Sequence, residues 1–406
     1  MESNIAVRVP AYVTAVMDTL ERAGHRGYLV GGSLRDLLLD KTPHDFDLTT
    51  DATPEEMLVI FSDFRVIPTG LRHGTLTVLS QGQPIEVTTH RVDGDYLDAR
   101  RPESVFFTRR LADDLSRRDF TVNAMAWHPA VGLVDLFGGR EDLQSGILRA
   151  VGDPVARFTE DALRILRAFR FSAQLGFSIE KNTLTAARET RAGLERISAE
   201  RIFSEISRLL ICPAAPRGLD ALFAADCQEQ VFFDAAPKTD LFSSLTSLPI
   251  EAELRLALLL SDRTAKDALK LCRRWRASNA FAERVCGLLK AAGEPLPDSL
   301  YTARRFVCGY WKEWDGALIL RQTLGQNTEE ARKLCKTVAK NGTAIELRRL
   351  AVNGKELQER LSVRPAKTGE LLKRLQDLCW QEPQQNKKGI LLALADEICR
   401  KEKGFV

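Results

Sequence analysis

Histidine is scarce in this chain and unevenly placed: five occur in 406 residues, all at or before His128. The eight cysteines all lie between Cys212 and Cys399, and no two form a C-x-x-C pair. Cysteine and histidine therefore never meet at zinc-ligand spacing, which argues against a zinc module. Also missing are a signal peptide and any apolar run of about 18 residues, so no membrane span is expected. The thiols are accordingly expected to be reduced, buried and inert, in a cytoplasmic protein. An excess of one charge is absent too, since 58 Lys and Arg face 55 Asp and Glu. Bulk charge thus announces no nucleic-acid binder, and any basic surface must arise from local clustering. Repeats and low-complexity segments are lacking as well.

What is present is apolar residue, 44% of the chain, in a length too great for one compact core. The first 150 or so residues alternate. An amphipathic helix is expected over 11–23, then an apolar strand over 27–30 that ends in a Gly pair. The β-branched runs HGTLTVL and PIEVTT, joined by Ser80-Gln81-Gly82-Gln83, predict an antiparallel hairpin. From about Asp153 onward Leu, Ala, Arg and Glu recur at helical spacing, punctuated by Pro213, Pro249, Pro295, Pro297 and Pro365. The fold class is therefore α+β: a small mixed head followed by an all-helical remainder.

Five constellations in this frame can carry chemistry. In LVGGSLRD a strand runs into two glycines and then Ser33, read as an N-cap, so that backbone N–H groups and Arg35 could meet a triphosphate. A Gly-containing turn would look the same. In HDFDLT, read as a strand, Asp45 and Asp47 would point to one face, a placement tolerated on a solvated edge or beneath a divalent cation such as Mg²⁺. Glu86 on the neighbouring strand could supply a further carboxylate, or simply be the exposed face of that strand. The run RRDFTVNA is read as a helix start whose arginines could neutralise a leaving pyrophosphate, or form an ordinary surface ion pair. Last, EDALRILRAFR, read as one helix, buries Ala162, Ile165, Leu166 and Phe169 and turns Asp161, Arg164, Arg167 and Arg170 outward. On that wheel Asp161 and Arg164 are neighbours, while Arg170 lies on the far side. A carboxylate beside a guanidinium matches the amino donor and ring-nitrogen acceptor shared by cytosine and adenine, and mismatches uracil and guanine. A salt-bridged solvated helix face is the plainer reading of the same pattern.

The order GGSLRD, HDFDL, HGTLTV, PIEVTTHR, SRRDFTVNAMA, DLFGG, EDALRILRAFRF resembles the class II CCA-adding enzymes, the bacterial tRNA nucleotidyltransferase and poly(A) polymerase family of the DNA polymerase β-like superfamily. The resemblance covers residues 27–177; beyond it, helical character and the segment Gly354-Lys355-Glu356-Leu357 are compatible with the family's body and tail. It implies a nucleotidyltransferase head over 1–150, a base-reading neck over 151–215, a helical body over 216–335 and a tRNA-binding tail over 336–406. It implies template-independent addition of C, C and A to the 3′ end of tRNA from CTP and ATP, with two metal ions. Position by position, it makes Asp45 and Asp47 the Mg²⁺ ligands and puts Gly32 and Arg35 at the triphosphate. Arg118 would touch the nucleotide, Asp161 and Arg164 would read the base, and Arg167 and Arg170 would belong to the same site. The segment 92–111 matches a flexible loop that is shortened in CC-only relatives, which favours complete CCA synthesis. A poly(A) polymerase, a CC- or A-adding specialist, a small-molecule nucleotidyltransferase and a non-catalytic RNA-binding protein are the alternatives. No H-D phosphohydrolase signature is seen, so phosphatase side activity is not expected. For the RNA, basic clusters at Lys270 to Arg276, Arg304-Arg305 and Lys387-Lys388 are candidates, though a charged helix face is the plainer reading of any one of them. A homodimer is compatible with the sequence, which fixes no oligomeric state.

Overall fold

The structure is a computed structural model that describes residues 5–93 and 105–402. It divides into two compact units, 1–246 and 247–406.

In the first unit, α1 (Ala11–Arg22) buries Val13, Val16, Met17 and Leu20 along one stripe and precedes β1 (Gly27–Val30). The chain then turns directly into α2 (Gly31–Leu38). Further strands are β2 (Asp47–Thr50), β3 (Arg65–Gly70), β4 (Thr75–Ser80) and β5 (Gln83–Thr89). Helix α3 (Leu111–Ser116) leads to β6 (Met125–His128) and β7 (Gly132–Asp135). The seven strands lie in the order β3-β4-β5-β2-β1-β6-β7, antiparallel throughout except for the β2/β5 pair. Register explains the choice of faces. Leu76, Val87, Leu48, Leu29 and Trp127 form one continuous cross-strand row, each at most 3% exposed. One residue along, the pleat reverses, and the row becomes Thr77, Glu86, Asp47, Val30 and Ala126. The β4–β5 hairpin forms as expected, but closes more tightly. Ser80 pairs with Gln83, and Gln81 and Gly82 both take positive φ (50° and 79°), the conformation of a type I′ turn.

Of the loop expected at 92–111, residues 94–104 lie outside the described residues. Its flanks, Arg91–Asp93 and Val105–Phe107, pair as an antiparallel ribbon.

Beyond residue 153 the first unit is helical apart from Ser178–Ile179, which pairs with Ile147–Leu148. Three helices matter for the site: α4 (Pro154–Glu160), α5 (Leu163–Leu175) and α6 (Ala199–Leu210). The single helix expected over 160–170 is in fact two, because Asp161 is extended (φ −139°, ψ 101°) and its Oδ1 accepts the Leu163 N–H at 3.0 Å. The N-cap itself is Ala162, and the Asp161 side chain one residue earlier offers the backbone a local turn in place of the helical ladder.

The second unit holds two apolar centres. One gathers Ala303, Phe306, Val307, Leu318 and Cys335; the other gathers Val352, Leu357, Leu371, Leu375 and Leu391. The Ile345 carbonyl of the second centre accepts from Gln376 Nε2 (2.9 Å), Trp380 Nε1 (3.1 Å) and, from beside the first centre, Cys308 Sγ (3.6 Å). Asn353 and Glu356 form a capping box ahead of Leu357, within the Gly354–Leu357 motif. All eight cysteines are free, and seven are buried, with Cys308 half-buried. Burial pushes the thiols of Cys227, Cys272 and Cys335 up to about 12, which leaves them unreactive at neutral pH. Among the described residues no helix is long and apolar enough to cross a membrane.

Candidate active site

The site begins where β1 ends. Gly31 takes a left-handed φ of 69°, and a Cβ there would meet Arg118 Nη1 at 3.4 Å and Asp47 Oδ2 at 3.9 Å. Of the glycine pair it is Gly31, rather than Gly32, whose conformation demands glycine. Gly32 lies next in α2, with the Arg35 guanidinium 3.6 Å from its would-be Cβ. Ser33 is not the N-cap. Val30 holds that position, and the Ser33 hydroxyl, already one turn inside, donates to the Val30 carbonyl at 2.9 Å.

Asp45, Asp47 and Glu86 come together differently from the single-strand pair expected. Strand β2 starts at Asp47, and Asp45 stands in the bend before it. Glu86 is the direct register partner of Asp47 in the parallel β2/β5 ladder, so both project to the same face. Burial raises the Asp47 carboxyl to about 6, reinforced by the nearby charges of Asp45 and Glu86 and opposed by Arg118. Among the described residues no three Asp, Glu, His or Cys side chains close into a metal cage. The carboxylate pair does fit a hard divalent cation whose remaining ligands come from phosphate oxygens and water, because a cation would offset both the burial of the Asp47 charge and its repulsion by Asp45 and Glu86.

Arg118 reaches Asp47 because it is tethered from behind. The arginine pair does not open a helix: α3 ends at Ser116, and Arg117 and Arg118 follow its C-terminus, where cations suit the helix dipole. From within α3 the fully buried Asp114 accepts Arg117 Nη2 at 2.8 Å and Arg118 Nη2 at 2.9 Å. Burial alone would raise the Asp114 carboxyl, but the guanidiniums of Arg118 and Arg117 outweigh it and hold it well below the ordinary range. Behind Asp114, Thr49 Oγ1 lies 2.8 Å from Nδ1 of the buried His90, whose burial pulls its pKa down to about 4.

The remaining predicted residues surround Phe171. Arg35, 3% exposed, donates to Asn123 Oδ1 (2.8 Å) and Asp36 Oδ1 (2.7 Å), and its guanidinium lies 5.4 Å from the Phe171 ring centre. Arg167 clamps Asp119 Oδ2 through Nε (2.8 Å) and Nη2 (2.6 Å), 5.2 Å from the same ring. Arg170 stacks over it at 4.0 Å and donates to the buried Glu205 at 2.5 Å. The two expected base readers have separate partners. Asp161 Oδ2 accepts Arg201 Nη2 at 3.1 Å, while Arg164 Nη1 donates to Glu160 Oε2 at 2.7 Å and its Nη2 to the Arg117 carbonyl at 3.0 Å. The helical wheel missed this because it assumed an unbroken helix. Asp114 and Arg201 were not singled out from the sequence, although the D-x-x-R-R spacing that makes Asp114 face Arg117 and Arg118 is visible there. Nothing local signals Arg201, which meets Asp161 across 40 residues.

Acids on the inner strands of a mixed sheet, an arginine beside them and a glycine turn are the parts of a nucleotidyltransferase head. Residues 27–149 match the family described as "Poly A polymerase head domain", and 176–238 match "Probable RNA and SrmB- binding site of polymerase A". A CCA-adding enzyme of Lactobacillus helveticus is 43% identical over 280 residues, 68% of this chain and 69% of the relative. That of Pediococcus pentosaceus is 34% identical over 391 residues, 95% of this chain and 97% of the relative. The solved Bacillus stearothermophilus CCA-adding enzyme in complex with CTP superimposes with a TM-score of 0.83 at 28% identity, covering 97% of this chain and 99% of that one. The chain belongs to the CCA-adding enzyme family.

Proposed function

We propose that the chain adds C, C and A in turn to the 3′ end of tRNA, using CTP and ATP and releasing pyrophosphate, without a nucleic-acid template. The observation that carries this is the Asp47–Glu86 register pair with Asp45 beside it, facing Arg118 across Gly31. A relative at 28% identity is solved with CTP, which supports a nucleoside triphosphate at this site.

In the reaction the tRNA 3′-hydroxyl attacks the α-phosphorus, forming a phosphodiester as the bond to pyrophosphate breaks. Mg²⁺ held by Asp45 and Asp47, with Glu86 as the third carboxylate, would supply acidity to the hydroxyl and neutralise charge on the triphosphate. Gly31 and Gly32 let the backbone approach the phosphates. Arg118, fixed by Asp114, offsets charge on the departing pyrophosphate. Asp161 accepts from the exocyclic amino group of cytosine or adenine, and Arg164 donates to the ring nitrogen beside it. Uracil and guanine present the reverse polarity and leave these groups unpaired. Arg35, Arg167 and Arg170 frame the same site through Phe171. The head spans 1–150, the neck 151–215, the body 216–335 and the tail 336–406, and the protein works in the cytoplasm.

The test is a tRNA transcript lacking its terminal CCA, incubated with each labelled NTP and with CTP plus ATP. Incorporation of C and then A, stopping after three nucleotides, is expected. Addition of C alone, of A alone or of a long A tract would replace this reading with that of a specialist or a poly(A) polymerase.

A further inference from the structure

The base reader assigned above contains only one acid, and that acid is itself held by a side chain to which the reading gives no role. Asp161 lies at the break between α4 and α5, where the backbone is extended. Its carboxylate is nonetheless held at both ends: Oδ1 by the Leu163 N–H at 3.0 Å and Oδ2 by Arg201 Nη2 at 3.1 Å. The first contact is local. The second comes from α6, a separate helix, and it sets the rotation of the carboxylate about its own axis. Both side chains are partly open, Asp161 at 20% and Arg201 at 35% exposure, so a ligand can reach the lone pairs that these two donors leave unused.

We propose that Arg201 is a specificity-determining residue: it positions Asp161 so that the free lone pairs of the carboxylate meet an exocyclic amino group and reject a carbonyl. The inference rests on the reading of Asp161 as the base-contacting acid. Discrimination by a polar mismatch depends on the reading group being unable to move away from the wrong base, since a carboxylate that turns toward water no longer penalises a facing carbonyl oxygen. One backbone N–H leaves that freedom; a second, charge-assisted donor from another helix removes it. Arg201 touches neither the phosphates nor the attacking hydroxyl in this scheme, so its removal should change base choice more than the rate of the chemical step.

The experiment compares full-length wild-type, R201M, R201K and D161N proteins in single-nucleotide addition to tRNA lacking CCA. Each of CTP, ATP, UTP and GTP is used separately, with kcat and KM resolved for each. For R201M the preference for CTP over UTP, and for ATP over GTP, should fall by about tenfold or more, mainly through a higher KM for CTP and ATP with kcat for CTP within a few-fold of wild type. R201K, which restores a cation on a similar stem, should recover part of the preference. A uniform fall in kcat for all four nucleotides, or unchanged preferences in R201M, overturns the proposal. D161N separates the two layers. Altered base choice in D161N with none in R201M discards Arg201 alone, whereas unchanged base choice in D161N discards the reader itself and Arg201 with it.

Discussion

On the inner strands β2 and β5 of the head sheet acids crowd together with too few cations, while within 157–205 five arginines each hold an acid. Asp45, Asp47 and Glu86 converge where Arg118 is the opposing charge, and burial, reinforced by the two neighbouring acids, lifts Asp47 to about 6. By contrast Arg157 and Arg164 share Glu160, Arg167 holds Asp119, Arg170 holds Glu205 and Arg201 holds Asp161. The first region stores unrelieved repulsion, and a bound cation would relieve it. The second is already satisfied, so whatever binds there must exchange one partner for another. An unrelieved cluster gains from almost any divalent cation. A satisfied one yields only to a ligand that reproduces the lost hydrogen bonds, and such a region can therefore be selective.

The comparison breaks most visibly at the acidic cluster. Asp47→Ala and Asp45→Ala should each reduce nucleotide incorporation by about 10³-fold or more, because the metal ligands are lost. Neither should lower the melting temperature, and Asp47→Ala should raise it slightly by removing a repelled carboxylate. Retained activity in either variant would remove the metal assignment, and a large drop in melting temperature would show the cluster to be a scaffold. Next in size is the Arg170–Glu205 pair, buried on both sides. Glu205→Gln or Arg170→Met alone should cost about 3–5 kcal/mol in denaturant unfolding, since the surviving charge is stranded. The double variant should recover much of that loss. If purified Arg170→Met keeps the wild-type KM for CTP, Arg170 supports the site without touching the nucleotide.

A smaller effect comes from acid. His90 titrates near 4 in the folded chain against an ordinary value of 6.5, because burial disfavours its charged form. The folded state therefore binds fewer protons than the unfolded chain between those values. The stability His90 contributes is present above pH 6.5 and is lost as the pH falls through about 4. On the order of 1–3 kcal/mol should disappear over that window, and His90→Gln should flatten the limb in a pH series of chemical denaturation. An unchanged slope would show that another group governs acid unfolding.

How far all this was legible depends on the distance in sequence over which each contact is made. The hairpin, the Gly pair and the acidic D-x-D are local, and the β-branched alternation that sets the β4/β5 ladder could be read directly. The Asp47–Glu86 pairing was anticipated only as neighbouring strands, since parallel register is set by a crossover rather than by a turn. The errors came at helix ends. Ser33 looks like a cap but lies inside α2; RRD looks like a helix start but follows a helix; EDALR looks continuous but breaks at Asp161. At Asp161 a side chain bonded to backbone marks the boundary, whereas α2 starts after Val30 and α3 ends before Arg117 without a side-chain cap, and composition does not reveal which ends have one. Arg201 and Glu205 were beyond reach, because their partners lie 40 and 35 residues away.

The gentlest test concerns exposed charge in the second unit. Arg273, Arg274 and Arg276 are exposed at the end of the helix Ala265–Arg274; of the other basic candidates, Arg304 donates to the Trp380 carbonyl at 2.6 Å and Lys388 to Glu356. An exposed arginine on a mobile stem contributes to RNA affinity chiefly through phosphate charge, so its effect is modest and depends on salt. Replacing all three by Gln should weaken tRNA binding by about tenfold at low salt and flatten the dependence of log Kd on log salt, with base choice and kcat unchanged. Filter binding across a salt series reads both quantities. Unchanged affinity and slope would make this cluster an ordinary solvated helix end. Altered base choice would mean that selectivity reaches beyond the satisfied guanidinium set, and the contrast between the two regions would have to be redrawn.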